Sequence, residues 1–311
     1  MNLGTPEAIF AIAALVLLLS IIAVRLSRRL GMPSLLLYLG IGLVLGVDTF
    51  GIDLDNTLLT EHLGFVALVF ILAEGGLTTR WSNVRPALGL GISLATVSVV
   101  VSVAVAGAGV FLLMGFDWRT SLLWGAVLSS TDAAAVFSVL RGVGVKPRLS
   151  AALELESGLN DAPVVIAVVL LAGTAEITWL DPLLVVYELV VGALIGGAIG
   201  WGGAWLMRRE ALPAAGLYPL ATIALIGGAY AVGVFTHASG FLACYVAAVV
   251  LGNSRIPHRS ATLSFAEGLG WLAQIGLFVM LGLYVDPTGL PAALVPGLLI
   301  GLFVLLVARP V

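Results

Sequence analysis

Stretches of about 20 predominantly apolar residues recur from one end of this sequence to the other, the length an α-helix needs to cross a bilayer core. Of 311 residues, 60% are hydrophobic and only 10% charged, and the mean hydropathy is +1.15. A water-soluble surface of this size needs far more charge. Barrel strands are short and alternate apolar with polar, which this sequence does not do. The expected fold is therefore an all-α polytopic membrane protein, one transmembrane domain over 1–311, with no soluble domain or low-complexity linker.

About eleven spans are predicted, near 7–26, 33–49, 61–79, 87–115, 119–140, 150–173, 182–207, 214–236, 238–252, 261–285 and 291–311. The eighth and ninth can be divided differently around His237. Loop charge tests the set. Loops after odd spans carry Arg25/Arg28/Arg29, Arg80/Arg85, Arg141/Lys146/Arg148, Arg208/Arg209 and Arg255/Arg259; of the 14 Lys+Arg only Arg119 and Arg309 fall elsewhere. Loops after even spans are acidic or neutral, with Asp48, Asp53, Asp55, Glu61, Asp117, Glu176, Asp181 and Asp286. A miscounted span would scramble this alternation. Basic loops stay cytoplasmic, so the N-terminus is expected outside. Trp81, Trp118 and Trp179 mark span ends as an interfacial belt would. The first run follows Glu7 rather than a basic segment, so it reads as a retained helix, not a cleaved signal. The single Cys244 excludes an intramolecular disulfide.

Ionisable residues inside such spans are costly and point to function. Thr131-Asp132 lie in the fifth span and Asn160-Asp161 in the sixth. Counted from Arg119, Asp132 lies about 13 residues deep, roughly 20 Å; counted from Ser150, Asp161 lies about 11 residues deep, roughly 16 Å. In a core roughly 30 Å thick, the two carboxylates reach the midplane from opposite faces. The run Ser129-Ser130-Thr131-Asp132 competes with helical backbone bonds. It reads either as a helix break exposing carbonyl oxygens to a cation or as a continuous helix with a Ser/Thr packing patch. On the sixth span Glu154, Ser157 and Asp161 share one stripe, and Glu156 and Asn160 an adjacent one. Hard oxygen ligands of this kind suit alkali cations and protons. Pro163 frees a backbone carbonyl one turn back, near Leu159. A buried carboxylate holding a proton and a cation in turn is the simplest antiport device, because burial raises its pKa and a nearby cation lowers it.

Glu74, in Glu74-Gly75-Gly76, either reaches toward this site or snorkels to the interface. Glu188 and Glu267 read as interfacial or helix-packing carboxylates. His237 and Ser239 form no catalytic motif. The glycines Gly192, Gly196, Gly197, Gly200, Gly202 and Gly203 read as close helix packing. No phosphate loop occurs, and neither a cofactor nor nucleic acid is expected.

The segments Ser129-Ser130-Thr131-Asp132-Ala133-Ala134-Ala135-Val136-Phe137 and Glu156-Ser157-Gly158-Leu159-Asn160-Asp161-Ala162 resemble the NhaP and sodium/proton exchanger group of monovalent cation/proton antiporters. The likeness is greatest to the cell volume regulation protein A branch, described as potassium/proton antiporters. Ile71-Leu72-Ala73-Glu74-Gly75-Gly76-Leu77 and Ala308-Arg309-Pro310 fit the same pattern. The resemblance implies an NhaA-like fold with inverted repeats, a helix broken near 129–132, a homodimer in membrane lipid and a bacterial inner-membrane location. It implies Asp161 as the principal cation- and proton-binding carboxylate, with an alkali cation held at Asp161 and Asp132. Thr131, Ser157 and Glu74 would complete or support the site. Asn160 stands where electrogenic relatives have Asp, which implies electroneutral exchange of H⁺ for K⁺ or Na⁺. Glu156 would form a structural ion pair with Arg309. It also implies a second broken helix beyond Val311, so the natural chain is expected to continue past this point, with any cytoplasmic regulatory domain.

Two other classes stand beside the antiporter. One is a cation channel or channel-like sensor, which a conductance far above carrier turnover would reveal. The other is an intramembrane hydrolase at Ser157 or Ser239, which lacks a paired base. Na⁺ and K⁺ both stay open, because selectivity rests on cavity size and ligand number.

Overall fold

The computed structural model describes residues 5–46, 57–131, 136, 145–173, 178 and 180–310. Its helices are α1 (Pro6–Leu30), α2 (Ser34–Leu45), α3 (Thr57–Thr78), α4 (Trp81–Met114), α5 (Trp118–Ser129), α6 (Pro147–Leu159), α7 (Asp161–Ala172), α8 (Asp181–Arg209), α9 (Leu217–Phe235), α10 (Gly240–Asn253), α11 (Arg259–Leu283) and α12 (Leu290–Phe303). Among the described residues, eight helical stretches are long and apolar enough to cross a membrane, with α6 and α7 together forming one of them, Leu149–Ala172. α2 and α10 are shorter apolar helices. With α5 they account for the predicted spans. The fourth begins earlier than expected, at Trp81, because Pro86 is absorbed in a tight turn, Arg85–Ala87, and the helix carries on. A π-helical turn at Leu94–Ser98 follows. The eighth and ninth spans part at His237, whose φ of 54° is left-handed and stops α9.

The chain forms two compact units. The first joins residues 1–71 to 268–291. In it α2 crosses the second half of α11 so closely that a Cβ on Gly42 would lie 2.9 Å from Gly282 Cα. Ala67 and Ile71 of α3 pack on Ala273 of α11, flanked by Phe70 and Leu277.

The second unit comprises residues 72–267 and 292–311. Its centre is α10, in which Phe241 through Tyr245, Ala247, Ala248 and Leu251 are all buried. Small residues let neighbours approach it on several sides. Gly192, Gly196 and Gly200 of α8 lie against Ser239, Ala243 and Ala247. Gly203 packs instead on Leu225 of α9, while Gly197 and Gly202 face open space, so four of the six glycines act as spacers. Without a hydrophobic driving force between helices in lipid, such contacts and polar bonds carry the association. On another side, Val84 and Ala87 of α4 form a core with Ala151, Ala152 and Leu155 of α6. The outward faces are apolar, as a lipid-facing surface requires: no residue of α12 is buried, and Leu294, Leu298 and Leu302 are among its exposed side chains. Trp81 and Trp118 each open a helix and are exposed, where an interfacial belt would place them; Trp179 lies outside the described residues.

Candidate functional site

α5 begins under a good N-cap: Asp117 accepts a hydrogen bond from the Thr120 amide at 3.0 Å. It runs 12 residues, roughly 18 Å at 1.5 Å per residue, or about half the bilayer core. It then stops. Ser129 turns its hydroxyl onto the Ala126 carbonyl at 2.8 Å. Ser130 is extended, with φ −64° and ψ 144°, and Thr131 is non-helical. Of the two readings of this run, the helix break is the one the backbone adopts. Asp132 and the next three residues lie outside the described residues.

Across from this break, α6 passes into α7 at Asn160. Pro163 has no N–H to offer the Leu159 carbonyl, which interrupts the helix there. Backbone bonds from Asn160 to Glu156 (2.8 Å) and from Val164 to Asn160 (3.1 Å) carry the chain through without a bend into extended geometry.

The two interruptions meet. Ser130 Oγ donates to Asp161 Oδ1 at 3.1 Å. Asn160 Nδ2 donates to Thr131 Oγ1 at 2.6 Å, and Thr131 Oγ1 donates onward to Glu156 Oε1 at 3.2 Å. Asn160 is fully buried, and its Oδ1 finds no donor among the described residues. An unsatisfied buried acceptor costs about 1–3 kcal/mol, which a cation or a water at this position would offset. Asp161, Ser130 and Thr131 are half-buried. Side-chain oxygens of three kinds, from one carboxylate, two hydroxyls and an amide, thus converge in mid-span.

The other predicted residues surround this centre. Ser157 is buried and gives its proton to its own helix, at the Leu153 carbonyl 3.0 Å away. Its oxygen keeps lone pairs to accept with. Gly158 lies so close to Tyr245 of α10 that a Cβ there would sit 2.7 Å from the ring. Glu74 stands half-buried on α3, beside Gly76, which packs on Ala248 of the same α10. Glu156 and Arg309 both reach the broken segment but do not form the expected ion pair among the described residues. Glu156 accepts from Thr131, while Arg309 Nη2 donates to the Ser130 carbonyl at 3.2 Å. The Glu154 side chain lies outside what the structure describes.

One residue escapes sequence reasoning. Arg119, at the start of α5, donates from Nε to Leu171 O at 2.9 Å and from Nη2 to Leu170 O at 3.2 Å and to Gly173 O. It closes the carbonyl end of α7, where a cation also suits the helix dipole. From this clamp to the site is about 11 residues along α5 and about 12 along α7, roughly 17 and 18 Å. The two arms match, so fixing one end sets the register of Ser130–Thr131 against Asn160–Asp161 at the other. The only sequence signal is negative: Arg119 is the single basic residue in the acidic set of loops.

An interrupted helix meeting a polar pair inside a second span is the construction of discontinuous-helix secondary transporters. The sequence matches the model of the sodium/hydrogen exchanger transmembrane family over residues 14–311, and the chain belongs to that family. It is a multi-pass membrane protein. It is 40% identical over 302 residues to the K(+)/H(+) antiporter NhaP of Alkalimonas amylolytica, covering 94% of this chain and 52% of that protein. It is 35% identical over 319 residues to the K(+)/H(+) antiporter NhaP2 of Shewanella baltica, covering all of this chain and 55% of that one. A Na(+)/H(+) antiporter, ApNhaP of Aphanothece halophytica, is 29% identical over 274 residues, 85% of this chain and 51% of its own. The chain thus spans about half the length of the curated relatives it matches. Its fold is similar to that of the sodium proton antiporter MjNhaP1 from Methanocaldococcus jannaschii, with a TM-score of 0.81 and 21% identity over 97% of this chain and 76% of that one.

Proposed function

We propose that this chain forms the membrane part of a secondary antiporter that exchanges a monovalent cation for H⁺ one for one, with both competing for Asp161. The observation that carries this is the oxygen cluster in mid-span: Ser130 bonded to Asp161, Thr131 bonded to Asn160, and Asn160 Oδ1 left without a donor. Ser130 donates to one Asp161 oxygen, and proton and cation compete for the carboxylate. Asp132, the Thr131 backbone, Ser157 and Glu74 complete the cation's surroundings. Asn160 contributes an oxygen without a charge, so a bound monovalent cation neutralises Asp161 just as a proton does, and the loaded site carries the same charge in either half-cycle. Glu156 and Arg309 hold the broken segment from two sides.

K⁺ is the favoured cation, because the relatives at 35–40% identity are named for K⁺ and the one at 29% for Na⁺. The protein works as a homodimer in the bacterial inner membrane, N-terminus outside as loop charge orients it, and serves pH homeostasis and cell volume regulation. The test is cation-driven proton release from proteoliposomes of the complete protein. Asp161→Asn is expected to abolish it; exchange at the wild-type rate in that variant would overturn the proposal.

A further inference from the structure

A cavity of about 260 Å³ lies between α7, α8, α9 and the start of α10. At roughly 30 Å³ per water it has room for about eight, enough for a hydrated monovalent cation. One wall is a single stripe of α7: Ala162, Val165, Ile166, Val169 and Leu170, rising roughly 12 Å along the helix. Its lower end is Ala162, the residue next to Asp161, and Val165 lies one turn beyond Asp161 on that carboxylate's face of the helix. The upper end is at Asp181, the first residue of α8. Seven residues deeper on α8, roughly 10 Å and on the same face, Glu188 also lines the cavity.

Glu188 is half-buried within a membrane span. The titratable groups near it are His237 at the α9–α10 turn, Asp181 on its own helix and Tyr230 on α9. α7 presents only apolar side chains to the cavity, and α10 begins there with Ser239, whose hydroxyl already accepts from Leu242. No described residue donates a hydrogen bond to the Glu188 carboxylate. A carboxylate at bilayer depth without such bonds is costly unless water or a cation reaches it. A lipid tail in this cavity would leave it unsolvated; water would not.

We infer that this cavity is the aqueous approach to Asp161 from the side opposite the basic loops, and that Glu188 is its cation- and proton-receiving group. The role of the approach rests on Asp161 being the exchange carboxylate; the presence of water in the cavity does not. Both are read in the complete protein with its native cysteines replaced. With Ile166→Cys, a positively charged, membrane-impermeant methanethiosulfonate is expected to label from the side of Asp117 and Asp286 only. Adding Glu188→Gln slows that reaction several-fold and leaves a neutral reagent of equal size unaffected. Labelling by a lipid-soluble maleimide alone means that an acyl chain fills the cavity and overturns the inference. In transport, Glu188→Gln is expected to raise the apparent KM for cation on that side about tenfold, the size of one charge contact in partly solvated surroundings. KM on the other side stays the same and Glu188→Asp recovers most of the loss. An equal effect from both sides makes Glu188 a packing residue and overturns its receiving role. If Asp161→Asn still exchanges while labelling behaves as expected, the antiport assignment fails and the water-filled cavity stands.

Discussion

At Thr131 one hydroxyl does two jobs, accepting from Asn160 and donating to Glu156. Thr131→Val keeps the shape and removes both bonds, stranding a buried amide proton on a residue that already has an unpaired oxygen. The loss is about 1–3 kcal/mol. It falls on the cation-loaded arrangement, so the apparent KM for K⁺ in proteoliposomes is expected to rise by about five- to a hundredfold, with expression in the membrane retained. An unchanged KM would remove Thr131 from the site. Asn160, Asp161 and the Ser-Ser-Thr run were legible in the sequence because polar groups in lipid need a reason. The identity of each partner was not. The family resemblance implies an ion pair between Glu156 and Arg309, whereas Glu156 accepts from the Thr131 hydroxyl and Arg309 donates to the Ser130 carbonyl.

The elements follow from short-range rules, and so most of them could be read in advance. Apolar length set the spans, and the hydroxyl run set where α5 stops. The fourth span, expected from 87, starts at Trp81 because a tight turn absorbs Pro86 inside α4. The Arg119 clamp was invisible because it joins residues about 50 positions apart, and nothing local requires it. Arg119→Gln is expected to lower thermal stability in detergent and to weaken K⁺ binding, by about 2 kcal/mol for the lost charged hydrogen bonds, while Arg119→Lys recovers part of both. An unaltered pH profile and KM in Arg119→Gln would confine the clamp to stability. The same end of α5 offers a pH test. Hydrogen bonds from Thr120, side chain first and then backbone, hold Asp117 below the usual carboxylate range. A lowered folded-state pKa means the cap contributes fully above the unfolded value of about 3.9 and loses that contribution as pH falls through the folded one. Melting curves from pH 6 down to 3 are expected to show this acid-side loss, and Asp117→Asn to lack it.

For the whole molecule, the glycine seams around α10 matter more than any single bond. They bring α3, α6, α8 and α9 onto one short buried helix, and that assembly supports the site through Tyr245 on Gly158 and Gly76 on Ala248. The sequence showed that α8 would pack closely but not on which partner, since a glycine records proximity and no address. The central claim is functional: a proton and a cation occupy one carboxylate in turn. Its most direct test is the apparent KM for K⁺ of the complete protein in proteoliposomes, measured across pH at a clamped membrane potential. Competition predicts that KM rises about tenfold for each unit the pH falls below the Asp161 pKa, at constant maximal rate. A KM independent of pH, with only the maximal rate changing, would contradict it.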